Sequence, residues 1–230
     1  MEERLGHFQE MKIAWLTAHR AIGEQAFRKK ELAGWIENIR LVMKKNLGIL
    51  YKIYVIEQAD TKEWNRGALY NAGFQTAATD DHSYLFINCN TDYRIPEESL
   101  PDEFFYHNDG FLDLHGYDGG LGSFCAFYAD AYEKCNGFPN DFWGWGGEDT
   151  AIKKRIEFAG ISIHRPQNLY QKWLKENREH PRDFSKNGEN IGKAERTTAE
   201  NMWESGINKL VYEIESVKRY DDVIWVKVQC

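Results

Sequence analysis

The chain has 230 residues, of which 42% are apolar and 14% aromatic, enough to bury one sizeable core. Its formal net charge of -7 and its pI near 5.6 leave it without the basic surface that binds a phosphate backbone, which argues against nucleic acid as a partner. Because no run approaches about 18 apolar residues and the first residues lack the apolar run of a signal peptide, we expect a cytoplasmic protein.

The first half of the chain alternates between strand-like and helix-like segments. Short runs rich in β-branched and aromatic residues predict three strands, with two helical segments between them. In chain order these are a strand over Lys12–Ala18, a helix over Ala26–Lys45, a strand over Tyr51–Gln58, a helix over Asn65–Ala78 and a strand over Ser83–Asn90. This order is typical of right-handed crossovers in a parallel sheet covered on both faces. Because such sheets bind ligands beyond the carboxyl ends of their strands, we expect a site at Ala18–Arg20, Glu57–Arg66 and Asn90–Tyr93.

The second half is less regular and is rich in glycine and aromatic residues. It contains one predicted helix, over Glu148–Ala159, followed by a polar stretch in which HPRDFSKNGEN is interpreted as a surface loop. Two β-rich segments, Asn208–Ser216 and Asp222–Cys230, close the chain. Because the sequence contains no repeat or clear linker, we treat residues 1–230 as a single domain.

A candidate metal site combines Asp92 with His180. Asp92 follows the third strand in FINCNTDYRIP, where a carboxylate faces the cleft of a doubly wound sheet; the alternative is a plain turn, since the flanking residues are turn formers. His180 lies in a polar loop, where the alternative is a solvated side chain. An imidazole, a carboxylate and phosphate oxygens together suit Mn²⁺ better than Mg²⁺.

The segment FPNDFWGWGGEDTAIKKRI combines tryptophan, glycine and acidic residues in an unusual way. Glycines beside Trp145 allow backbone amides to approach a ligand, and an indole face can stack on a sugar or a base. Glu148 and Asp149 fall in the first turn of the following helix, whose dipole favours their ionised forms. An ionised carboxylate there can serve as the general base for a hydroxyl nucleophile. The alternative is a core-packed loop whose acids only cap the helix.

This segment, NGFPNDFWGWGGED, resembles the signature of the β-1,4-galactosyltransferase family, inverting enzymes that transfer galactose or N-acetylgalactosamine from a UDP-sugar. Other segments similar to the family follow its order: YKIYVIEQ, WNRGALYNAGF, NTD, ISIHRP, HPRD and SGINKLVYEI. The resemblance implies an α/β GT-A fold with a Rossmann-like, mostly parallel sheet flanked by helices and a smaller acceptor-side region. It also implies a nucleotide-sugar-binding half in residues 1–96 and an acceptor-binding half in residues 97–230.

The resemblance also assigns roles to individual residues. For the metal, Mn²⁺ with Mg²⁺ as the alternative, it implies Asp92, His180 and Asn177. For the donor nucleotide and its sugar it implies Arg20, Arg66, Asn90, Asp92, Trp145, Gly146, Gly147 and Glu148. For catalysis it implies Asp149, which would deprotonate the acceptor hydroxyl, together with Glu148. For the acceptor, a glycan or glycoconjugate, it implies Trp145, Asp149 and Thr150.

Two departures from the family pattern leave alternatives open. Asn90 replaces the first acid of the Asp-x-Asp motif, and Thr150 replaces the acid that usually follows Glu-Asp. The family's paired glycines correspond either to Gly119 and Gly120 or to Gly122 and Ser123, so the donor sugar and the acceptor stay open. The alternative functions are a carbohydrate-binding protein that has lost catalysis and a phage-type transferase acting on a modified nucleic-acid base. The alternative to a cytoplasmic location is a Golgi-type catalytic domain trimmed of its anchor.

Overall fold

The computed structural model describes residues 11–20, 26–46, 48–95, 100, 110–114, 120–165, 175–176 and 183–230. The described helices, α1 to α5 in chain order, are Ala26–Lys45, Arg66–Asp80, Ala129–Lys134, Glu148–Phe158 and Asn187–Glu195. The described strands, β1 to β10, are Lys12–His19, Leu50–Gln58, Leu85–Cys89, Tyr93–Arg94, Phe111–Asp113, Phe124–Phe127, Ile163–His164, Lys175–Glu176, Glu213–Arg219 and Val223–Gln229. Two short 3₁₀ helices are Asn201–Trp203 and Ile207–Lys209.

Eight of these strands form one sheet, in the order β7-β5-β6-β3-β1-β2-β10-β9. Its centre, β3-β1-β2, is parallel, which confirms the predicted crossovers. Strand β10 adds parallel to β2, whereas β6 and β9 run antiparallel to β3 and β10. The carboxyl ends of β1, β2 and β3 therefore share one edge of the sheet.

Both faces of the sheet are covered by helices, as the alternating pattern predicts. Along β1, Ile13 and Trp15 join a core with Trp35 of α1, while Leu16 joins a second core with Leu69 of α2. These side chains are fully buried, and each contributes about 1.5–3 kcal/mol by leaving water. The two cores form a rigid support for the loops at the carboxyl edge.

The prediction of a loop up to Asn190 is wrong, because α5 begins at Asn187. The sequence NGENIGKAE has two glycines and little intrinsic helix propensity. Packing overrides this preference, since Ala194 is buried in a small cluster with Phe142 and Ala151. In the described part of the chain, no helix has the length and apolar character needed to cross a membrane.

The penultimate strand also begins later than predicted, at Glu213 rather than near Asn208. Asn208 lies in a 3₁₀ helix and exchanges two hydrogen bonds with the side chain of Asn136, at 2.9 and 3.1 Å. Side-chain bonds of this kind offer the backbone an alternative to a strand ladder. They attach this segment to the start of NGFPN.

Candidate active site

A cleft of about 350 Å³ lies at the carboxyl edge of the parallel strands. All three segments that the sequence pointed to contribute to its wall. The predicted site residues that line it are Arg20, Arg66, Asn90, Asp92 and Trp145. The sheet topology thus brings residues that are far apart in the chain around one cavity.

The cleft wall also contains five residues, from α1 and from the segment before α5, to which the sequence assigned no role. Arg28 and Glu31 come from the first turns of α1, and Asp183, Ser185 and Lys186 precede α5. A signal for the first pair existed: α1 follows β1 directly, so its first turns must lie near the edge where β1 ends. The sequence predicted only that they belong to the helix over Ala26–Lys45. The second group belongs to the segment that was predicted to be a surface loop.

Arg66 joins the cleft to the two candidate catalytic acids. Its Nη2 lies 2.8 Å from Oε1 of Glu148 and also makes a very short contact with Oδ1 of Asp149. The guanidinium is only 12% exposed, so burial opposes its charge, but the two carboxylates outweigh burial and raise the pKa of Arg66. Arg66 is therefore a fixed positive charge on the cleft wall.

The two acids differ in their access to solvent. The side chain of Glu148 is 8% exposed, whereas that of Asp149 is 35% exposed. Burial raises the pKa of Glu148, and the neighbouring Asp149 adds to this effect while Arg66 opposes it. The environment thus makes Glu148 an internal partner of Arg66 and leaves Asp149 accessible to a second molecule.

The start of α2 holds Arg66 in place through its capping residue. The side chain of Asn65 accepts a hydrogen bond from the backbone N–H of Ala68 at 3.0 Å and donates to the carbonyl of Asn140 at 2.7 Å. Gly67 allows close contact here, because a Cβ atom would lie 2.6 Å from the carbonyl oxygen of Pro139. The segment NGFPN is therefore bound to the first turn of α2.

Asn71 makes the same connection one turn further along α2. Its amide nitrogen donates to the carbonyl of Phe138 and to the side chain of Asn140, both at 2.7 Å. Its amide oxygen accepts from the hydroxyl of Tyr132 at 2.7 Å and from the backbone N–H of Phe138 at 3.0 Å. Because Asn71 is fully buried with all these bonds made, it fixes the approach to the tryptophan-containing loop.

Glycines of the segment before β6 face Asp149. A Cβ atom on Gly120 would lie 2.7 Å from Cβ of Asp149, and one on Gly122 would lie 3.1 Å from its Oδ1. The backbone N–H of Leu121 donates to the carbonyl of Asp149 at 3.0 Å. Each of the two alternatives for the family's paired glycines, Gly119–Gly120 and Gly122–Ser123, therefore has one glycine beside this carboxylate. Gly119 lies outside the described residues.

The loop Trp143–Gly147, here called the tryptophan loop, packs on the start of α5. Gly144, Gly146 and Gly147 have φ values of 79°, 101° and 83°, which favour glycine. Asn190 of α5 donates to the carbonyl of Trp143 at 2.9 Å and to that of Trp145 at 3.4 Å. The loop therefore depends on a helix that sequence reasoning did not predict.

Trp145 lines the cleft and contacts a residue of the segment before α5. Its ring packs edge-on against Phe184, with 4.6 Å between centroids. The backbone N–H of Gly144 donates to the carbonyl of Trp64 at 2.7 Å, so the tryptophan loop also contacts the loop after β2. The tryptophan loop thus contacts residues from both halves of the chain.

The loop after β3, which also lines the cleft, is fixed from two sides. The hydroxyl of Tyr70 donates to Oδ1 of Asn90 at 2.9 Å. The guanidinium of Arg94 donates to the carbonyl of Thr91 at 2.7 Å and to that of Glu31 at 3.1 Å. These bonds set the position of Asp92, which lies between Thr91 and the short strand β4.

The remaining predicted site residues lie elsewhere. His180 and Asn177 are outside the described residues. Gly146, Gly147 and Thr150 do not belong to the described cleft lining; the first two shape the tryptophan loop, and Thr150 lies in the first turn of α4. Glu148 and Asp149 contact the cleft through Arg66.

The arrangement offers a specific chemistry. Arg20, Arg28 and Arg66 provide positive charge for an anionic ligand, and the carboxylates of Glu31 and Asp92 provide oxygen ligands for a hard divalent cation. Burial and the nearby Asp92 raise the pKa of Glu31. A phosphorylated ligand bound here would have an accessible carboxylate, Asp149, behind the Arg66 wall.

Comparisons with known proteins match almost the whole chain. A family model described as the N-terminal region of glycosyl transferase group 7 matches residues 9–101, and one described as the N-terminal domain of galactosyltransferase matches residues 107–179. Beta-1,4-galactosyltransferase 1 of Homo sapiens is 34% identical over 203 residues, covering 84% of this chain and 50% of that protein. Beta-1,4-galactosyltransferase 5 of Mus musculus is 36% identical over 135 residues, covering 55% of this chain and 34% of that protein. The chain therefore spans about half the length, or less, of these curated relatives.

Solved structures confirm the predicted GT-A fold. The catalytic domain of Drosophila beta1,4galactosyltransferase 7 in complex with xylobiose superposes with a TM-score of 0.75 at 25% identity, covering 95% of this chain and 94% of that chain. A mutant of the same enzyme in complex with manganese, UDP-Gal and xylobiose gives a TM-score of 0.76 at 24% identity over the same shares.

Proposed function

Since the chain belongs to the β-1,4-galactosyltransferase family of glycosyl transferase group 7, we propose that it is an inverting, metal-dependent glycosyltransferase. It transfers galactose or N-acetylgalactosamine from a UDP-sugar to a hydroxyl of a glycan or glycoconjugate and forms a β-linkage. The observation that carries the proposal is the double ion pair of Arg66 with Glu148 and Asp149, which joins an anion-binding cleft to an accessible carboxylate.

The donor occupies the cleft in this proposal. Arg20 and Arg66 are the cationic groups for the diphosphate, and Asn90 donates a hydrogen bond from its amide nitrogen, because its oxygen is engaged by Tyr70. Trp145 covers the sugar with its indole ring. Gly146 and Gly147, where an added Cβ would meet Asn187 and Asn190 of α5, let the loop lie close to that helix, and their backbone amides are the proposed groups that approach the donor.

The donor set of the cleft suits a divalent cation. The proposed ligands of the cation are Asp92, His180 and Asn177. Of these three, only Asp92 lies in the part of the chain that the structure describes. An imidazole favours Mn²⁺, the metal present in the related Drosophila structure, whereas the oxygen donor at Asn177 makes Mg²⁺ the alternative. When bound, the cation stabilises the negative charge that develops on UDP as the glycosidic bond breaks.

Asp149 is the proposed general base. Its exposure allows an acceptor hydroxyl to approach, and removal of the hydroxyl proton prepares the oxygen for attack on the anomeric carbon from the face opposite UDP. A single displacement of this kind inverts the α donor to a β product. Glu148 holds Arg66 and contacts the donor sugar, and Thr150 contributes to the acceptor side.

Replacement of Asp149 separates binding from chemistry. We predict that Asp149→Asn retains UDP binding, because Glu148 still holds Arg66, but loses more than about tenfold in turnover of UDP-galactose and UDP-N-acetylgalactosamine with a panel of glycan acceptors. Coupled assay of released UDP measures turnover, and calorimetry measures binding. The matched control is Asp141→Asn, an exposed aspartate of the same segment, which should keep wild-type turnover.

Two outcomes contradict the assignment. Turnover of Asp149→Asn within about tenfold of wild type would remove Asp149 as the base. A wild-type protein that binds glycans in EDTA but shows no turnover with any donor would favour the carbohydrate-binding alternative, for which Asn90 and Thr150 are the supporting departures.

A further inference from the structure

Strand β9 forms one edge of the sheet, and exposed apolar side chains are concentrated along it. It pairs with β10 on one side, and no strand in the described part of the chain pairs with its other side. Nine large apolar side chains are exposed among the described residues, and four of them lie in this strand or within two residues of it: Val211, Ile214, Val217 and Tyr220. Single exposed apolar residues are common, but several on one unpaired strand indicate an interaction surface.

Ile214 and Val217 continue the α2 side of the core beyond the cover of that helix. They lie opposite Val228 and Val226 of β10, which are fully buried in the same core as residues of α2. Residues directly opposite in an antiparallel pair share a face, and the extra residue at Glu215, a β-bulge, lets both apolar side chains do so. An open groove of about 570 Å³ lies between the second half of α2 and β9, so the helix leaves these two side chains uncovered.

Two charged residues of β9 have ion-pair partners in the same chain. The guanidinium of Arg219 donates two hydrogen bonds of 3.0 Å to the carboxylate of Asp80, at the end of α2. The carboxylate of Glu215 lies 3.5 Å from Nζ of Lys227 on β10. These contacts fix the edge strand to the rest of the fold and balance both charges.

The other two charged residues of β9, Glu213 and Lys218, are exposed and form no ion pair with any described residue. They lie opposite Gln229 and Trp225 of β10, so both belong to the sheet face that α2 does not cover. The edge therefore presents one acid and one base on the same face, each without a partner among the described residues.

A second copy of β9 matches this pattern in one antiparallel register. When the strand is paired with itself in that register, Glu213 lies opposite Lys218 and Ile214 lies opposite Val217. Each pair occurs twice, because a two-fold axis repeats it. A shift by one residue in either direction places Ile214 opposite Lys218 or Glu213 opposite Val217, and so opposes an apolar side chain to a charge.

Lys218 and the bulge at Glu215 are features that stop edge strands from pairing indiscriminately. A strand that placed an apolar or cationic side chain opposite Lys218 would remove water from the ammonium group without compensation. A second copy instead supplies the carboxylate of Glu213 at that position. The edge therefore excludes most strands and accepts its own copy.

We propose that two copies of this chain pair through β9 in a two-fold symmetric dimer, whose sheet continues from one copy to the other. Two Glu213–Lys218 pairs and two Ile214–Val217 pairs lie at the centre of the interface. The described lining of the cleft contains no residue of β9, so this inference does not rest on the proposed function.

Sedimentation equilibrium of the full chain over about a hundredfold range of protein concentration measures dimerisation, and the wild type should form a reversible dimer. Glu213→Lys and Lys218→Glu should each weaken the dimer by about tenfold or more, because each places like charges opposite one another twice. The double variant Glu213→Lys with Lys218→Glu restores both pairs with exchanged signs. It should dimerise to within about threefold of wild type.

A matched pair of substitutions tests the apolar contact. Val217→Asp places a charge beside Ile214 of the second copy and should weaken dimerisation by about tenfold or more. Trp203→Asp makes a comparable change outside the edge, at a side chain that is 47% exposed against 42% for Val217. This control should dimerise within about twofold of wild type. Far-ultraviolet circular dichroism checks that every variant folds.

Three outcomes would overturn the proposal. A wild type that stays monomeric over the whole concentration range would exclude the dimer. Single charge reversals that dimerise like the wild type would show that another surface joins the copies. A loss of dimerisation that the double variant does not restore would contradict the register that places Glu213 opposite Lys218.

Discussion

Arg66 connects the parts of the candidate site at the scale of a single side chain. Its guanidinium faces the cleft and contacts two acids that are more than 80 residues away in the chain, Glu148 and Asp149. The motif WGWGGED suggested from the sequence that these acids are functional. The sequence did not show which acid is buried and which is accessible, because the burial of each depends on its packing beside Arg66.

His19, at the end of β1, provides a prediction at the same scale. It is 3% exposed, its Nε2 has no hydrogen-bond partner, and its ring packs edge-on against Trp225. Burial, with smaller contributions from Arg28 and Lys29, lowers the pKa of His19 from 6.5 to about 4. In the folded protein His19 is therefore neutral over most of the acidic range.

The sign of its effect on stability follows from this shift. As pH falls from 6.5 toward 4, His19 becomes protonated in the unfolded chain but stays neutral in the folded chain. The free energy of unfolding therefore decreases. Between about pH 7 and about pH 5 the decrease due to His19 is about 2 kcal/mol. Urea unfolding at the two pH values should show that His19→Phe removes this part of the decrease. The control His82→Phe leaves His19 in place and should show the full decrease in the free energy of unfolding. If this decrease is the same in the wild type and both variants, His19 is not its cause.

At the scale of elements, α5 determines the shape of the tryptophan loop. The sequence NGENIGKAE gave no helical signal, and its helix forms because it packs against a loop that is equally irregular alone. By contrast, α1, α2 and α4 were predicted to within a few residues, since their apolar periodicity acts locally and Asn65 caps the start of α2. The strands β5 and β6 were missed because they are only three and four residues long, and because their outer partners, β7 and β3, are distant in sequence.

Gly147 tests this packing. Its φ is 83°, and a Cβ atom would lie 2.6 Å from the carbonyl carbon of Asn190. We predict that Gly147→Ala lowers the free energy of unfolding by about 1–3 kcal/mol through backbone strain and displaces the tryptophan loop. Turnover should fall by about tenfold or more as Trp145 moves.

Urea unfolding and turnover assays measure both effects. The matched control is Gly188→Ala in α5, where an added Cβ would meet nothing within 4 Å. This substitution should leave turnover unchanged and leave stability equal or slightly higher, because alanine favours helix. If the two variants behave alike, the packing of Gly147 on α5 does not control the loop.

At the scale of the whole molecule, the sheet extends through both halves of the chain. β10, near the end of the sequence, pairs with β2, and β6 pairs with β3. The division into a nucleotide-sugar-binding half, residues 1–96, and an acceptor-binding half, residues 97–230, stays a prediction about ligands. This division was based on sequence motifs, which do not show that β10 pairs with β2 of the first half.

Shared strands predict cooperative unfolding. Because removal of residues 97–230 would take β10 from β2 and β6 from β3 and expose both edges of the parallel centre, tryptophan fluorescence and far-ultraviolet circular dichroism should report one coincident transition in urea. Two separated transitions would show that the halves are independent folding units.

Calorimetric titration of UDP into the purified protein, once with Mn²⁺ and once with EDTA, tests whether the cleft is a metal-dependent UDP-sugar site. We predict metal-dependent binding in about the micromolar range, because Asp92 binds the diphosphate through the cation while the arginines of the cleft bind it directly. The absence of UDP binding in both conditions, or equal binding in both, would contradict a metal-dependent UDP-sugar site in this cleft.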